Sequence, residues 1–181
     1  MKSVCLWMFF LCLITLPVHA EEAARLHAFG GYQYFRDGFA DGANLSGVEG
    51  AFSADVTKHF GIASDFSRAS HNYDHLGTDR ITTYTFGPVV SLSPRAQIDP
   101  FAHILVGGTV ASLKANNFNL PLYQLFASVN YLAIKVGGGI DVKVNRLLSV
   151  RGFQLDWNYL HGHNVSYKDE VSAATGVVFN F

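Results

Sequence analysis

The chain has 181 residues, of which 49% are hydrophobic, 14% aromatic and only 15% charged, against roughly 25% charged in an average soluble domain. Disorder is excluded, because disordered chains are poor in apolar and aromatic residues. With 13 Lys and Arg against 14 Asp and Glu, the formal net charge is −1, so no basic field is available to hold nucleic acid.

The chain opens with Lys2, an apolar run from Val4 to Val18, and the small-residue site Val18-His19-Ala20 before Glu21-Glu22. This is the layout of a secretory signal peptide. Residues 1–20 are expected to be removed by cleavage after Ala20, leaving 21–181 as one domain. The apolar run is shorter than the roughly 20 residues of a spanning helix. Leu11, just before Cys12, is not the small residue of a lipoprotein site. Cys5 and Cys12 both precede the cleavage point, so the exported chain must be stabilised without disulfides.

Beyond Ala20 the pattern has period two, the signature of strands with one apolar and one polar face. Leu26 to Arg36 is a first candidate strand, with aromatics on both parities. In Ser46 to Thr57, Val48, Phe52, Ala54 and Val56 oppose Glu49, Ser53, Asp55 and Thr57. Ile62 to Ala69 sets Asp65 and Ser67 against Phe66, and Ile81 to Leu92 sets Tyr84, Phe86, Val90 and Leu92 against Thr83, Thr85 and Ser91. Pro100 to Ser112 sets Ala102, Ile104, Val106 and Val110 against His103 and Thr109. In Ser128 to Lys143, Leu132, Ile134, Val136, Ile140 and Val142 oppose Lys135, Gly137, Gly139, Asp141 and Lys143. A helix would wind those charges through its apolar stripe. Ser149 to Tyr159 sets Phe153, Leu155, Trp157 and Tyr159 against Gln154, Asp156 and Asn158. Val171 to Phe181 sets Val171, Ala173, Val177, Phe179 and Phe181 against Glu170, Ser172, Gly176 and Asn180.

The eight strands are joined by connections of alternating length. Those at 58–61, 93–99 and 144–147 are short; those at 37–44, 70–80, 113–124 and 160–169 are longer and rich in Gly, Asn, Asp and His. An even number of roughly ten-residue alternating strands, with short turns at one end and long loops at the other, is the pattern of an outer-membrane barrel. Lipid cannot satisfy an open sheet edge, so a membrane sheet must close. The fold class expected is all-β, a transmembrane eight-stranded antiparallel up-and-down β-barrel. Soluble sandwiches and lipocalin-like barrels also alternate, with the apolar face inward. The export signal, the charges on the polar faces and the aromatics near strand ends favour the membrane form.

The runs Phe29-Gly30-Gly31-Tyr32-Gln33-Tyr34-Phe35-Arg36, Pro100-Phe101-Ala102-His103-Ile104-Leu105-Val106-Gly107-Gly108, Gly137-Gly138-Gly139-Ile140-Asp141-Val142-Lys143 and Gly176-Val177-Val178-Phe179-Asn180-Phe181 resemble the small OmpA-like outer-membrane β-barrel family. The likeness spans the whole exported chain. It implies a place in the bacterial outer membrane, contact with outer-membrane lipid and lipopolysaccharide, and a monomeric state. Val177, Phe179 and Phe181 are similar to the C-terminal signal that the barrel-assembly machinery reads in that family. Larger relatives carry a peptidoglycan-binding domain after the barrel; this chain stops at Phe181, and wall anchoring is not expected.

Eight strands leave an interior just wide enough for side chains to fill. Glu49, Asp55, Asp65, His103, Lys135, Asp141, Lys143 and Asp156 share the polar parity and are expected to form a paired lumen network, since buried charges must be paired. Lys135 and Asp141 would find partners among Asp55, Asp65, Asp156 and His103. Mixed sign argues against ion selectivity. Alternatives are a small-conductance, porin-like channel and a lipid A-modifying acyl hydrolase or transferase built from His161, His163, Ser166 and Glu170. His163 and Ser166 lie three apart and would face oppositely in a strand, against the two-residue spacing of the deacylase pattern. His71-Asn72-Tyr73-Asp74-His75 carries metal-ligand chemistry, but loop histidines are commonly just solvated. No cofactor, metal or catalytic residue is expected. The expected function is a structural or surface-interaction barrel presenting four external loops.

Overall fold

The computed structural model describes residues 25–36, 44–73, 77–114, 127–162 and 166–181. Eight strands follow one another: β1 Leu26–Arg36, β2 Asn44–Asp55, β3 Phe60–Tyr73, β4 Gly77–Ser91, β5 Ile98–Lys114, β6 Ala127–Lys143, β7 Leu148–His161 and β8 Ser166–Asn180. Each pairs antiparallel with the next, and β1 pairs with β8 to close the barrel. Closure leaves no strand edge unpaired, the requirement a lipid solvent imposes. The segment expected to be a signal peptide, with its cleavage site, lies outside the described residues.

The strands are longer than their alternating cores. β3 runs on through His71 to Tyr73 and β4 begins at Gly77, so most of the stretch expected as a 70–80 loop is ladder. The stretch at 160–169 is shortened in the same way by β7 and β8. The reason is physical: beyond Ala69 in β3 and before Ile81 in β4 the sequence is polar at both parities (Ser70-His71-Asn72 and Thr78-Asp79-Arg80), so alternation of hydrophobicity fades while backbone pairing continues.

The barrel is inside out relative to a soluble one. Phe52, Phe60, Phe66, Phe86, Leu132 and Phe179 lie exposed on the outer face, Phe52 retaining 69% of its accessible surface. Lys135, Glu49, Asp156 and Gln154 are buried within, Lys135 to 1%. Aromatic side chains mark both ends of the outer band: Phe60, Phe179 and Phe181 near the turns, and Tyr32, Tyr34, Tyr84 and a stacked Trp157–Tyr159–His161 ladder toward the loop end. Such girdles belong at bilayer interfaces.

Alternation breaks once in a way that matters for the interior. In β7 the register against both neighbours shifts between Arg151 and Gln154, where Gly152 is the extra residue of a β-bulge. Gly152 and Phe153 are consecutive and both exposed, while Arg151 and Gln154 both turn inward. Arg151 shares the parity of Phe153 and Leu155 in the sequence, so alternation alone assigns it to the lipid face. The bulge puts it inside.

Candidate functional site

The barrel's chemistry is concentrated in its lumen. At mid-height, Lys135 on β6 reaches three carboxylates from three other strands: Asp65 Oδ1 at 2.8 Å, Asp156 Oδ2 at 3.6 Å and Glu49 Oε2 at 3.8 Å. All four side chains are essentially inaccessible to solvent. His103 on β5 binds the other oxygen of Asp156 through Nε2, at 2.8 Å. Asp156 can lie against β6 because position 137 is glycine: a Cβ there would collide with its carboxylate and with the Leu155 carbonyl.

Amides complete the cluster. Gln33 Nε2 donates to Glu49 at 2.7 Å, and Gln154 Nε2 donates to Glu49 at 2.8 Å and to Asp156 at 2.7 Å. Gln154 in turn accepts from Arg151 Nη1 at 2.7 Å, and Arg151 grips Asp141 with two nitrogens at 2.8 and 3.0 Å. The Arg151 guanidinium is sandwiched between the rings of Phe29 and Phe101, 4.3 and 4.2 Å from their centres, a favourable place for a cation. One connected chain of hydrogen bonds and ion pairs therefore runs from Asp141 near the turns to Asp65 at the centre.

The eight residues expected in the lumen divide into two groups. Glu49, Asp65, His103, Lys135 and Asp156 meet in the central cluster, whereas Asp55, Asp141 and Lys143 lie nearer the turns with separate partners. Asp55 bonds His27 at 3.2 Å, and Lys143 Nζ donates to the Pro94 carbonyl. Lys135 takes Asp65, Asp156 and Glu49. Asp141 takes none of its expected partners; it takes Arg151, whose inward turn only the bulge explains. Gln33 and Gln154 are site residues that the pattern of charged residues misses. Their polar parity was the available signal, since neutral amides are what a cluster rich in carboxylates needs as donors.

The lumen is layered along its axis. On the loop side of the charged cluster, Thr83 and Thr109 share a hydrogen bond of 2.8 Å, and Phe35, Leu45, Ala69 and Ile81 form a buried apolar layer. On the turn side, a vestibule of about 520 Å³ reaches up to Asp65, His103 and Gln154. Open space thus reaches the charged cluster from the turn side, and the cluster, the threonine pair and the apolar layer follow one another along the axis.

The proposed catalytic set does not converge among its described members. His161 is exposed on the outer face, stacked on Tyr159, while Glu170 is buried on the inner face of β8. His163, and the side chain of Ser166, lie outside the described residues. Of the metal-like stretch, His71 lies in β3 with Nδ1 on the Asn44 carbonyl; Asp74 and His75 lie outside the described residues. Among the described residues no group of three or more His, Cys, Asp and Glu is arranged to hold a metal. Val177 and Phe179 on β8 and Phe181 just after it face outward, with Phe179 and Phe181 among the exposed large apolar residues.

Comparison with solved structures finds the same architecture. The chain superposes on Neisserial surface protein A with a TM-score of 0.64 at 10% identity, covering 88% of this chain and 96% of that one. It superposes on Ail, the attachment invasion locus protein of Yersinia pestis, solved with the heparin analogue sucrose octasulfate, with a TM-score of 0.60 at 14% identity, covering 88% and 100%. For the outer membrane protein OprG of Pseudomonas aeruginosa the TM-score is 0.54 at 12% identity, covering 88% and 97%. No protein-family description matches the sequence, and no curated protein matches it significantly. The chain shares the closed eight-stranded barrel fold of these outer-membrane proteins. Its apolar outer face and closed sheet belong in a bilayer, and in bacteria a barrel of this kind resides in the outer membrane.

Proposed function

We propose that the protein is a plugged outer-membrane barrel, monomeric and inserted by the barrel-assembly machinery, that acts as a rigid scaffold for its loop-end connections. The short turns face the periplasm and the longer connections face outward, where surface interactions take place. Outer-membrane lipid and lipopolysaccharide surround its apolar face. The observation that supports this reading is the central ion cluster. Lys135 is held by three carboxylates and backed by an apolar layer, and on this reading the two together block the water path. The interior is therefore used to make the barrel rigid, and function is left to the loops.

Single-channel recording in planar bilayers tests the reading. The purified barrel should show at most rare and very small openings. A large, steady conductance would overturn the plugged lumen and favour the channel alternative.

A further inference from the structure

On the outer face of β2 to β5 the apolar band is interrupted by a groove of about 550 Å³. Its floor includes Gly50 and Ser64, and Phe52, Phe66, Tyr84 and Phe86 rise around it. The floor is open because position 50 carries no side chain: a Cβ there would meet only the Phe29 carbonyl, at 3.7 Å, and its cross-strand partner Gly30 has nothing within 4 Å.

The loop-side end of this groove is basic. Arg68 follows Phe66 on the same face of β3, about 5 Å farther along the barrel axis for a tilted strand. Arg68 pairs across strands with Thr82, and Ser70 pairs with Arg80, so the two arginines lie diagonally on adjacent strands of the outer face. The other outward positions at these levels are Val48, Ser46, Val110 and Ser112, none of them acidic. Among the described residues no carboxylate lies within salt-bridge distance of either arginine. An outward guanidinium at this level can draw counter-charge from the headgroup layer.

We infer that Arg68, Arg80 and the Gly50–Ser64 groove form a binding site for a phosphorylated, multiply acylated glycolipid of the lipid A class, its phosphates on the arginines and one acyl chain in the groove. Two outward guanidiniums on neighbouring strands match two phosphates on one headgroup better than the single phosphodiester of a phospholipid. Guanidinium forks bind phosphate oxygens bidentately. The groove begins one outward position below Arg68, at Phe66 and Tyr84, and extends across β2 to β5, so an acyl chain descending from that headgroup meets it. The inference rests on the proposed orientation, with the loop end outward.

The test is a lipid titration of the barrel extracted from outer membranes and washed free of bound lipid, followed by native mass spectrometry. Bisphosphorylated lipid A and phosphatidylglycerol are the probes. Lipid A should bind, with phosphatidylglycerol weaker by about tenfold or more. Replacing both Arg68→Gln and Arg80→Gln should weaken lipid A by about tenfold or more, the scale of a lost charged hydrogen bond. Gly50→Ile should weaken lipid A while leaving binding of its deacylated headgroup unchanged. Heat-modifiable gel mobility confirms that each variant is folded. Equal affinity for both lipids, or an arginine double variant that binds as the parent does, overturns the site. A tag in the 115–126 connection separates the two readings. If it is labelled on intact cells while the arginine variant binds normally, only the lipid site fails. If it is labelled only after permeabilisation, the orientation fails with it.

Discussion

Lys135 is the residue on which the interior depends. A lysine buried to 1% exposure would be prohibitive alone; with Asp65, Asp156 and Glu49 around its ammonium it offsets three desolvated carboxylates at once. Replacing it with Met keeps most of the volume and removes the charge. The three carboxylates are then left facing one another, and the expected loss is about 3–5 kcal/mol, as for other buried pairs broken from one side. Urea unfolding of the barrel in detergent measures it, and an unchanged midpoint would show that the cluster is solvated. Asp65→Asn should cost less, because Lys135 keeps two carboxylates. Sequence parity made this cluster legible: Lys135, Glu49, Asp65, His103 and Asp156 all fall on the polar side of their strands. What parity could not supply was the pairing, which depends on the stagger between strands distant in sequence. Nor could it find Phe29, Phe35, Leu45 and Leu105, apolar residues buried inside. A small lumen needs filling as well as charge, and an inward leucine in a membrane barrel carries no mark that separates it from an outward one.

At the level of the element, β7 shows where alternation fails. Before Gly152 the inward residues are odd-numbered, Ser149 and Arg151; after it they are even-numbered, Gln154, Asp156 and Asn158. Read as one uninterrupted strand, the sequence puts Arg151 in lipid and leaves Asp141 without its partner. Deleting Gly152 should therefore be tolerated. The remaining order Val150, Arg151, Phe153, Gln154 alternates regularly, with every side chain on the face it now occupies. A barrel lacking Gly152 should still form, heat-modifiable on gels and with its Asp141–Arg151 pair intact. Deleting Leu155 instead would throw either the residues before it or those after it onto the wrong face, and should abolish folding. Equal folded yields from the two deletions would mean that the bulge does not set the phase of the strand. The same physics explains why strand cores were legible and strand ends were not. Faces are set by what lies on either side of them, and at the β3–β4 end the sequence is polar at both parities, as in Ser70-His71-Asn72 and Thr78-Asp79-Arg80.

For the whole molecule the decisive event is closure, which joins the first strand to the last across almost the entire chain. The seam ends at Leu26 and Phe181, whose backbones exchange hydrogen bonds: Phe181 N donates to the Leu26 carbonyl at 2.8 Å and Leu26 N to the Phe181 carbonyl at 3.3 Å. The Phe181 ring, by contrast, is 72% exposed on the outer face. Backbone and side chain at this position thus do different things, and two variants separate them. Deleting Phe181 removes both seam bonds as well as the ring, and should lower stability of the refolded barrel in detergent by roughly 1–2 kcal/mol, the net worth of two hydrogen bonds. Phe181→Ser keeps the backbone in place and should refold in detergent nearly as well as the parent. In cells, where we propose that the assembly machinery reads the apolar face of Val177, Phe179 and Phe181, the same Ser variant should yield much less folded barrel, with exported but unassembled chain in the periplasm. A normal cellular yield from Phe181→Ser would show that the ring is not read. A Ser variant that refolds poorly even in detergent would place its contribution in the barrel itself.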